Sequence, residues 1–196
     1  MKKTLLAIAC LTVIIMSCGQ TNDVLDGDLL FCIADEDNEI TDVTQGIDGM
    51  KIEHVGIYYN KSVIEATKSK GVCVTPIDSF IRHNVGRVIV GRVESADIRL
   101  SIKNALKYKG LPYDTLFMPD DRAMYCSELV QKSYVRSDSM LIFSPIPMSF
   151  HDDSGNITPF WTDFYKQRGM DVPEGMPGSN PGELSRRKSV RIIRRW

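Results

Sequence analysis

The sequence has little of two things that many functional classes need, namely net charge and histidine. Its 24 basic and 25 acidic residues nearly cancel, whereas a protein that binds the phosphates of nucleic acids usually carries a strong positive charge. The only histidines are His54, His83 and His151, and their spacing fits no compact zinc pattern, even with Asp152 and Asp153 beside His151. The sequence therefore predicts no nucleic-acid partner, no metal site and no cofactor.

Long apolar runs are also scarce, since only one run of hydrophobic residues stands out. It covers residues 5–16, follows Lys2 and Lys3, and is too short to cross a bilayer comfortably, which is typical of an export signal. The rest of the sequence has no apolar stretch that predicts a membrane span. The sequence thus predicts a targeting segment followed by a single domain at residues 25–196.

The end of the apolar run predicts how the protein is processed. It reads Ile15-Met16-Ser17-Cys18-Gly19 and resembles the lipobox of bacterial lipoproteins. This resemblance implies a signal peptide at residues 1–17, acylation of Cys18 and a short lipidated tether at residues 18–24. The expected location is the cell envelope, where the protein is anchored to a membrane and faces the periplasm or the exterior. An ordinary secretory signal and an uncleaved anchor remain as alternatives.

Cysteine is sparse in the exported part of the chain. Apart from Cys18, the cysteines there are Cys32, Cys73 and Cys126, so at least one thiol stays free in an oxidising compartment. Cys32 and Cys73 both fall in strand-like apolar runs. This favours buried reduced thiols, because a disulfide has strict geometric demands, although a bridge between the two remains open.

Cys126 has the setting of a reactive thiol. Polar residues at 119–122 precede it, and apolar residues recur after it at Leu129, Val130 and Tyr134, so the pattern predicts that Cys126 begins a helix. A thiol in the first turn lies at the positive end of the helix dipole and near unpaired backbone N–H groups. Both favour the thiolate, which is the nucleophilic species. A buried structural cysteine is the alternative.

A predicted hairpin brings a histidine and a carboxylate together. With Asn60-Lys61 as a two-residue loop, Gly56 pairs with Glu65, and His54 becomes a diagonal neighbour of Glu65 on the same face. Gly56 is expected to leave open space beside the imidazole. A carboxylate bound to one ring nitrogen orients an imidazole as the base of a thiol nucleophile requires. The alternative is a strand histidine and a solvated carboxylate that take no part in chemistry.

The remaining pattern predicts an α+β fold with an antiparallel sheet packed against helices. Ser95 can cap a helix that ends at Gly110. The acidic loop at 35–48 has no periodicity and is expected to be mobile, and an amphipathic segment covers 160–167. The basic residues from Arg186 onward are expected to form a solvated tail, with contact to anionic headgroups or glycans as the alternative. Strands are expected at residues 29–34, 54–59, 62–67, 71–77 and 87–93.

Several short segments occur in an order that resembles a known family. Together they resemble the YiiX/YebB-type members of the NlpC-like cysteine hydrolases. The resemblance implies a circularly permuted papain-like fold, in which the histidine precedes the cysteine. It also implies that Cys126 is the nucleophile, His54 the general base and Glu65 the residue that orients the base. The segments are DGDLLF (26–31), HVGIY (54–58), VIEA (63–66), GLPYD (110–114) and YCSELV (125–130), and PGSNPGELS (177–185) resembles a terminal element of related lipoproteins.

These observations predict an enzyme that cleaves an amide bond through an acyl-thioester, with the backbone N–H of Cys126 as an oxyanion donor. The expected substrate is a peptidoglycan-type peptide, because of the location and the commonest association of the superfamily. A lipid or N-acyl amide or ester hydrolase or acyltransferase, and a non-catalytic binding lipoprotein, are the alternatives. Glu128 is expected to interact with backbone N–H groups rather than to take part in chemistry. Residues expected to line the substrate cleft, with structural packing as the alternative role, are Tyr58, Tyr113, Asp114 and Tyr125.

Overall fold

The computed structural model describes residues 23–196, so the predicted signal segment and Cys18 lie outside the described residues. No helix within the described range is long and apolar enough to cross a membrane. The elements in chain order are β1 (Leu29–Ile33), a short 3₁₀ helix (Ile47–Gly49), β2 (Ile52–Tyr59), β3 (Ser62–Thr67), β4 (Gly71–Pro76), α1 (Ile77–His83), β5 (Val88–Val93), α2 (Ile98–Lys107), α3 (Cys126–Ser133), β6 (Ile146–Pro147), α4 (Pro159–Lys166), β7 (Pro177–Gly178), α5 (Pro181–Ser185) and β8 (Val190–Arg195).

Six of the strands form an antiparallel sheet in the order β4-β3-β2-β1-β5-β8. Because successive side chains of a strand point to opposite faces, the sheet is buried on both sides. Val55, Ile57 and Ile64 belong to the core that packs against α2 and α3. Val63 points to the other face, which α1 covers through Phe80. The predicted α+β architecture, with helices against an antiparallel sheet, is confirmed.

The β2–β3 hairpin has the predicted register. Asn60 and Lys61 both have positive φ, at 45° and 57°, as a two-residue type I′ turn requires. Tyr59 consequently pairs with Ser62, and the ladder continues towards the core. The same register places His54, the predicted base, and Glu65, the residue predicted to orient it, on one face of the sheet.

The start of α2 differs from the prediction. Asp97 caps the helix, because its Oδ1 accepts a hydrogen bond of 2.9 Å from the backbone N–H of Leu100. Ser95 instead has a φ of 63° in the turn that follows β5. The chain needs this left-handed residue to leave the sheet, and the cap therefore falls two residues later than the sequence suggested.

The prediction of a solvated basic tail is wrong for the last residues. They form β8, which pairs with β5 through Val93 and Val190 and through Arg92 and Arg191. Arg191 also lies 3.1 Å from a carboxylate oxygen of Glu94. Since β8 is at the edge of the sheet, its positive charges discourage pairing with other chains. The basic composition is thus explained by an edge strand.

The acidic loop at 35–48 is packed rather than free. Thr41 and Thr44 are buried, and Trp161 of α4 donates a hydrogen bond of 3.1 Å to the carbonyl of Glu39. Ile40 packs against an aromatic cluster that includes Trp161. The loop has no periodicity because it forms no regular element. It contacts α4, which is far away in the sequence, and also β2 and α5.

Cys32 and Cys73 are free thiols in the structure. Cys32 lies in β1 and Cys73 in β4, and β2 and β3 separate them in the sheet. Three strand spacings of about 4.8 Å put their backbones well beyond the reach of a disulfide. The expectation of reduced thiols is confirmed, although Cys73 is only half-buried.

The space beside Gly56, which was predicted to be open, is filled by Val63, whose Cγ1 would lie 2.4 Å from an added Cβ. We expect Gly56→Ala to lower the free energy of unfolding by about 1–3 kcal/mol because it overpacks the sheet. Urea denaturation measures this change. In a Val63→Ala background the same substitution should cost clearly less, since the clashing methyl group is gone. An equal cost in both backgrounds would contradict this explanation.

Candidate active site

Cys126 is the first residue of α3, as the sequence predicted. Tyr125 precedes it with an extended backbone (φ −98°, ψ 168°), so the helix begins abruptly after an extended segment. The first N–H groups of a helix have no partner within the helix. They are therefore available to a group that approaches the thiol, whose residue is only 5% exposed.

Glu128 stabilises this helix start, in the role that the sequence predicted for it. The backbone N–H of Tyr125 favours the ionised form of its carboxyl group, as expected for an acidic residue in the first turn of a helix. Its Oε1 also lies 2.8 Å from Nζ of Lys132, one turn further on. Burial raises the pKa of Glu128 to about 7 against the opposing effect of Lys132. These contacts serve the helix rather than the thiol.

His54 and Glu65 are hydrogen-bonded across the β2–β3 hairpin. The distance between Nε2 of His54 and Oε2 of Glu65 is 2.8 Å, as the diagonal relationship predicted. The other ring nitrogen, Nδ1, is then the one that can face a third group. The side chain of Cys126 lies close enough to the imidazole to raise the pKa of His54. The three residues proposed from the sequence are thus brought together.

The charges of this cluster support one another. Burial disfavours the imidazolium form of His54, but the hydrogen bonds with Cys126 and with Glu65 outweigh it and raise the pKa of His54 to about 10. For Glu65, burial disfavours the carboxylate, and the hydrogen bond with His54 overcomes that effect and lowers its pKa. The imidazole is therefore protonated and the carboxylate ionised at neutral pH.

A narrow cleft opens beside Cys126. Its enclosed volume of about 60 Å³ is small, and its walls are mostly apolar, so a slender, largely apolar group fits it best. Polar atoms come from a few residues, among them Ser127, Ser179 and Glu53. The apolar walls consist of Ile40, Val43, Phe117, Tyr125, Met148, Phe150 and Trp161.

A second, more open groove lies on the side of the histidine. His54 and Glu65 line it, and it shares Ile40, Glu53 and Tyr113 with the narrow cleft. These three shared residues form the boundary between the two depressions. A substrate can therefore extend from the narrow cleft, past the thiol and the imidazole, into the open groove.

Two of the four residues predicted to line the substrate cleft do so. Tyr113 and Tyr125 are in the walls of the narrow cleft, whereas Tyr58 and Asp114 line neither the cleft nor the open groove. Tyr58 lies four residues beyond His54 on the same face, where the cluster around Phe80 of α1 covers it. Asp114 accepts hydrogen bonds of 2.8 and 2.6 Å from the backbone N–H groups of residues 116 and 118. Its carboxylate thus stabilises the loop itself.

Sequence reasoning missed the part of the cleft that comes from the C-terminal third. Phe150 and Trp161 pack edge to face, with centroids 5.2 Å apart, and Ser179 follows β7. The available signals were the amphipathic segment at 160–167 and the PGSNPGELS segment, but neither revealed which element it would contact. Such contacts depend on tertiary packing, which local patterns do not encode.

The thiol at a helix start, with an imidazole and a carboxylate on strands earlier in the chain, defines a cysteine hydrolase with a permuted papain-like fold. The chain belongs to the family described as permuted papain-like amidase enzymes, YaeF/YiiX, C92 family, whose sequence model matches residues 23–192. This membership makes the protein a hydrolase of the cysteine amidase type and confirms the resemblance found in the sequence.

Individual relatives include viral proteins and a bacterial one. Protein OPG091 of Variola virus (isolate Human/India/Ind3/1967) is 27% identical over 134 residues, which is 58% of this chain and 79% of that protein. Protein OPG091 of Vaccinia virus (strain Copenhagen) is 28% identical over 134 residues, which again cover 58% of this chain and 79% of that protein. The crystal structure of the metalloprotein yiiX from Escherichia coli O157:H7 aligns with a TM-score of 0.69 and 23% identity, and covers 87% of this chain and 97% of that one.

The description of the bacterial relative as a metalloprotein applies to that protein. In residues 23–196 of this chain, no three His, Cys, Asp or Glu side chains cluster in a way that could hold a metal ion. Nε2 of His54 and the carboxylate of Glu65 already bind each other. The residues present therefore do not fit a metal centre, and the chemistry below uses none.

The raised pKa of His54 predicts the alkaline limit of the reaction. We expect kcat/KM for an amide substrate to fall as the pH rises through about 10, because His54 must carry the proton that the leaving amine takes. Glu65→Gln removes a charge that holds this proton, so the fall should begin at a lower pH. A pH–rate profile measures both. Glu94→Gln, which changes a carboxylate paired with Arg191 of the edge strand β8, should leave the profile unchanged. If kcat/KM of Glu65→Gln fell at the same alkaline pH as that of the wild type, the role assigned to Glu65 would be contradicted.

Proposed function

We propose that the chain hydrolyses an amide bond through an acyl-thioester on Cys126. The observation that carries the proposal is the proximity of three groups: the side chain of Cys126, at the start of α3, interacts with His54 and raises its pKa, and Glu65 holds His54 from the other side. A nucleophile, a base and an orienting carboxylate in mutual contact are what thiol hydrolysis requires. The adjoining cleft gives a substrate access to the sulfur.

The reaction then proceeds in two halves. The Cys126 thiolate attacks the substrate carbonyl, and the backbone N–H of Cys126 stabilises the oxyanion. The tetrahedral intermediate collapses, the C–N bond breaks, and the imidazolium of His54 gives its proton to the leaving amine. His54 next takes a proton from water, which attacks the thioester. The carboxylic acid leaves, and the thiolate and imidazolium are restored.

We further propose that the enzyme is an envelope lipoprotein, anchored through Cys18, that acts on cell-wall peptides. The support is the charged start, the short apolar run and the lipobox-like segment at residues 15–19. An exported hydrolase on a short tether works close to the membrane to which it is attached. Peptidoglycan-type peptides are amide substrates available in that compartment.

A second candidate substrate is an N-acyl amide or a lipid ester. The observation that favours it is the apolar lining of the narrow cleft, where Phe117, Met148, Phe150 and Trp161 all contribute. Such walls suit an acyl chain as well as an apolar amino-acid side chain. Incubation of a soluble form lacking residues 1–18 with peptidoglycan fragments and with acyl lipids separates the two candidates. Shortened peptides indicate a peptidase, and released fatty acid indicates an acyl hydrolase.

The role of the thiol predicts a strict requirement for Cys126. Cys126→Ser should lower kcat/KM by about four orders of magnitude or more, because the nucleophile is lost. Mass spectrometry should find an acyl adduct on Cys126 of the wild-type enzyme during turnover. Cys73→Ser is the matched control, since this free thiol is half-buried and lines neither depression of the site. Full activity in Cys126→Ser would refute the proposed mechanism.

The proposed anchor predicts a chemical modification. Expressed in a bacterium, the wild-type chain should lose residues 1–17, gain the mass of acyl groups on Cys18 and sediment with membranes. Cys18→Ser should lack the lipid and leave the membrane fraction, because one residue carries the whole attachment. Intact-mass measurement and fractionation test this directly. Membrane retention of an unmodified Cys18→Ser chain would instead indicate an uncleaved anchor.

A further inference from the structure

Two serines that line the narrow cleft have side-chain hydroxyls with no hydrogen-bond partner among residues 23–196. Ser127 and Ser179 both line the cleft next to Cys126, and they are only 1% and 4% exposed. Within the part of the chain that the structure describes, neither Oγ atom has a partner. An unpaired buried hydroxyl is costly. In the wall of a substrate cleft, such a group indicates a partner that arrives from outside.

Both serines are held in place by independent contacts. Ser127 is the second residue of α3, directly after the nucleophile. The backbone N–H of Ser179 donates a hydrogen bond of 3.1 Å to the phenol oxygen of Tyr125, and Asn180 caps α5 through a hydrogen bond of 2.6 Å from the N–H of Glu183. The PGSNPGELS segment thus fixes Ser179 against the residue that precedes the nucleophile.

The Ser179 side chain also lies close to the Tyr125 phenol. Burial raises the pKa of Tyr125, and the nearby Ser179 side chain opposes that rise. The two oxygens nevertheless do not have the geometry of a hydrogen bond, so the Ser179 hydroxyl remains without a partner among the described residues. It stays available to a ligand.

The geometry of the reaction decides which part of a substrate these hydroxyls meet. His54 delivers the proton to the leaving amine and lines the open groove, so the leaving group lies on that side. The acyl part bonded to Cys126 then occupies the narrow cleft, where Ser127 and Ser179 lie. Ser127 and Ser179 are therefore the serines next to the acyl part.

We propose that Ser127 and Ser179 bind a second amide group, which the substrate carries on the acyl side of the scissile bond, while an apolar side chain fills the rest of the cleft. The inference rests on the proposed function and specifies its substrate class as an N-acylated, apolar amino-acid residue. A plain fatty acyl chain would leave both hydroxyls unpaired. A site built to hydrogen-bond its substrate rejects an analogue that lacks the polar group.

Two esters with the same six-carbon acyl chain provide the test. They are the p-nitrophenyl esters of N-acetylnorleucine, which carries the second amide, and of hexanoic acid, which lacks it. With the form lacking residues 1–18, and after correction for spontaneous hydrolysis, we expect kcat/KM to favour the N-acetylnorleucine ester by about 10- to 100-fold. Ser127→Ala and Ser179→Ala should each reduce this preference, by lowering kcat/KM for the N-acetylnorleucine ester more than kcat/KM for the hexanoate ester.

Controls separate binding from folding. Ser133→Ala is the matched variant, because the Ser133 hydroxyl is also buried without a partner in the described chain and is not part of the cleft, so it should keep the preference. The rate of Cys126 alkylation by iodoacetamide and the thermal midpoint should be unchanged or higher in all three variants, since no hydrogen bond is lost.

The outcomes distinguish the amide-binding role of the two serines from the amidase mechanism. Equal use of both esters, or a preference that survives both cleft substitutions, overturns the inference and leaves the amidase mechanism intact. Failure of both esters to acylate Cys126, judged by mass spectrometry, overturns the proposed function and this inference with it. A preference that both cleft substitutions reduce and Ser133→Ala preserves supports the amide-binding role.

Discussion

The site depends on the register of the β2–β3 hairpin. The Asn60-Lys61 turn, with two positive φ angles, fixes that register and brings Glu65 within 2.8 Å of His54. A slip of one residue would send Glu65 into the apolar face beside Ile57. The burial of that face therefore enforces the position of the base as well as the stability of the sheet, and the same apolar residues serve both.

The site also requires that the charges of Glu65 and His54 be stabilised although both side chains are largely buried. Glu65 is 6% exposed, and an isolated carboxylate there would be strongly destabilising. The histidine between Glu65 and Cys126 compensates this cost, since each partner favours the charged form of the next. Removal of one member leaves the others uncompensated. The cluster is consequently a unit, in which the orienting carboxylate also sets how firmly the imidazole holds its proton.

Local patterns predicted the parts of the fold that depend on local rules. The alternation in the hairpin gave the His54–Glu65 pair, and the switch to helical periodicity placed Cys126 at the start of α3. Three of the failures involve distant partners. Tyr58 is covered by α1, the basic residues around Arg191 pair with β5, and the acidic loop packs against α4. A sequence shows which face of an element is apolar, but not which element will cover it.

The difference between local patterns and contacts of distant segments also explains why family membership identifies the type of reaction better than it identifies the substrate. The groups proposed to react are on β2, β3 and α3, which the core holds rigidly. Most of the cleft walls come instead from loop residues 40–44, residues 148–150, α4 and residues 179–181. Connecting segments accept sequence change more readily than the elements they join, so relatives can keep the reaction while the cleft changes. Specificity must therefore be inferred from the cleft of this chain. Its apolar walls include Ser127 and Ser179, whose hydroxyls have no partner among the described residues. Such a cleft suits an amide group beside an apolar side chain better than a plain hydrocarbon chain.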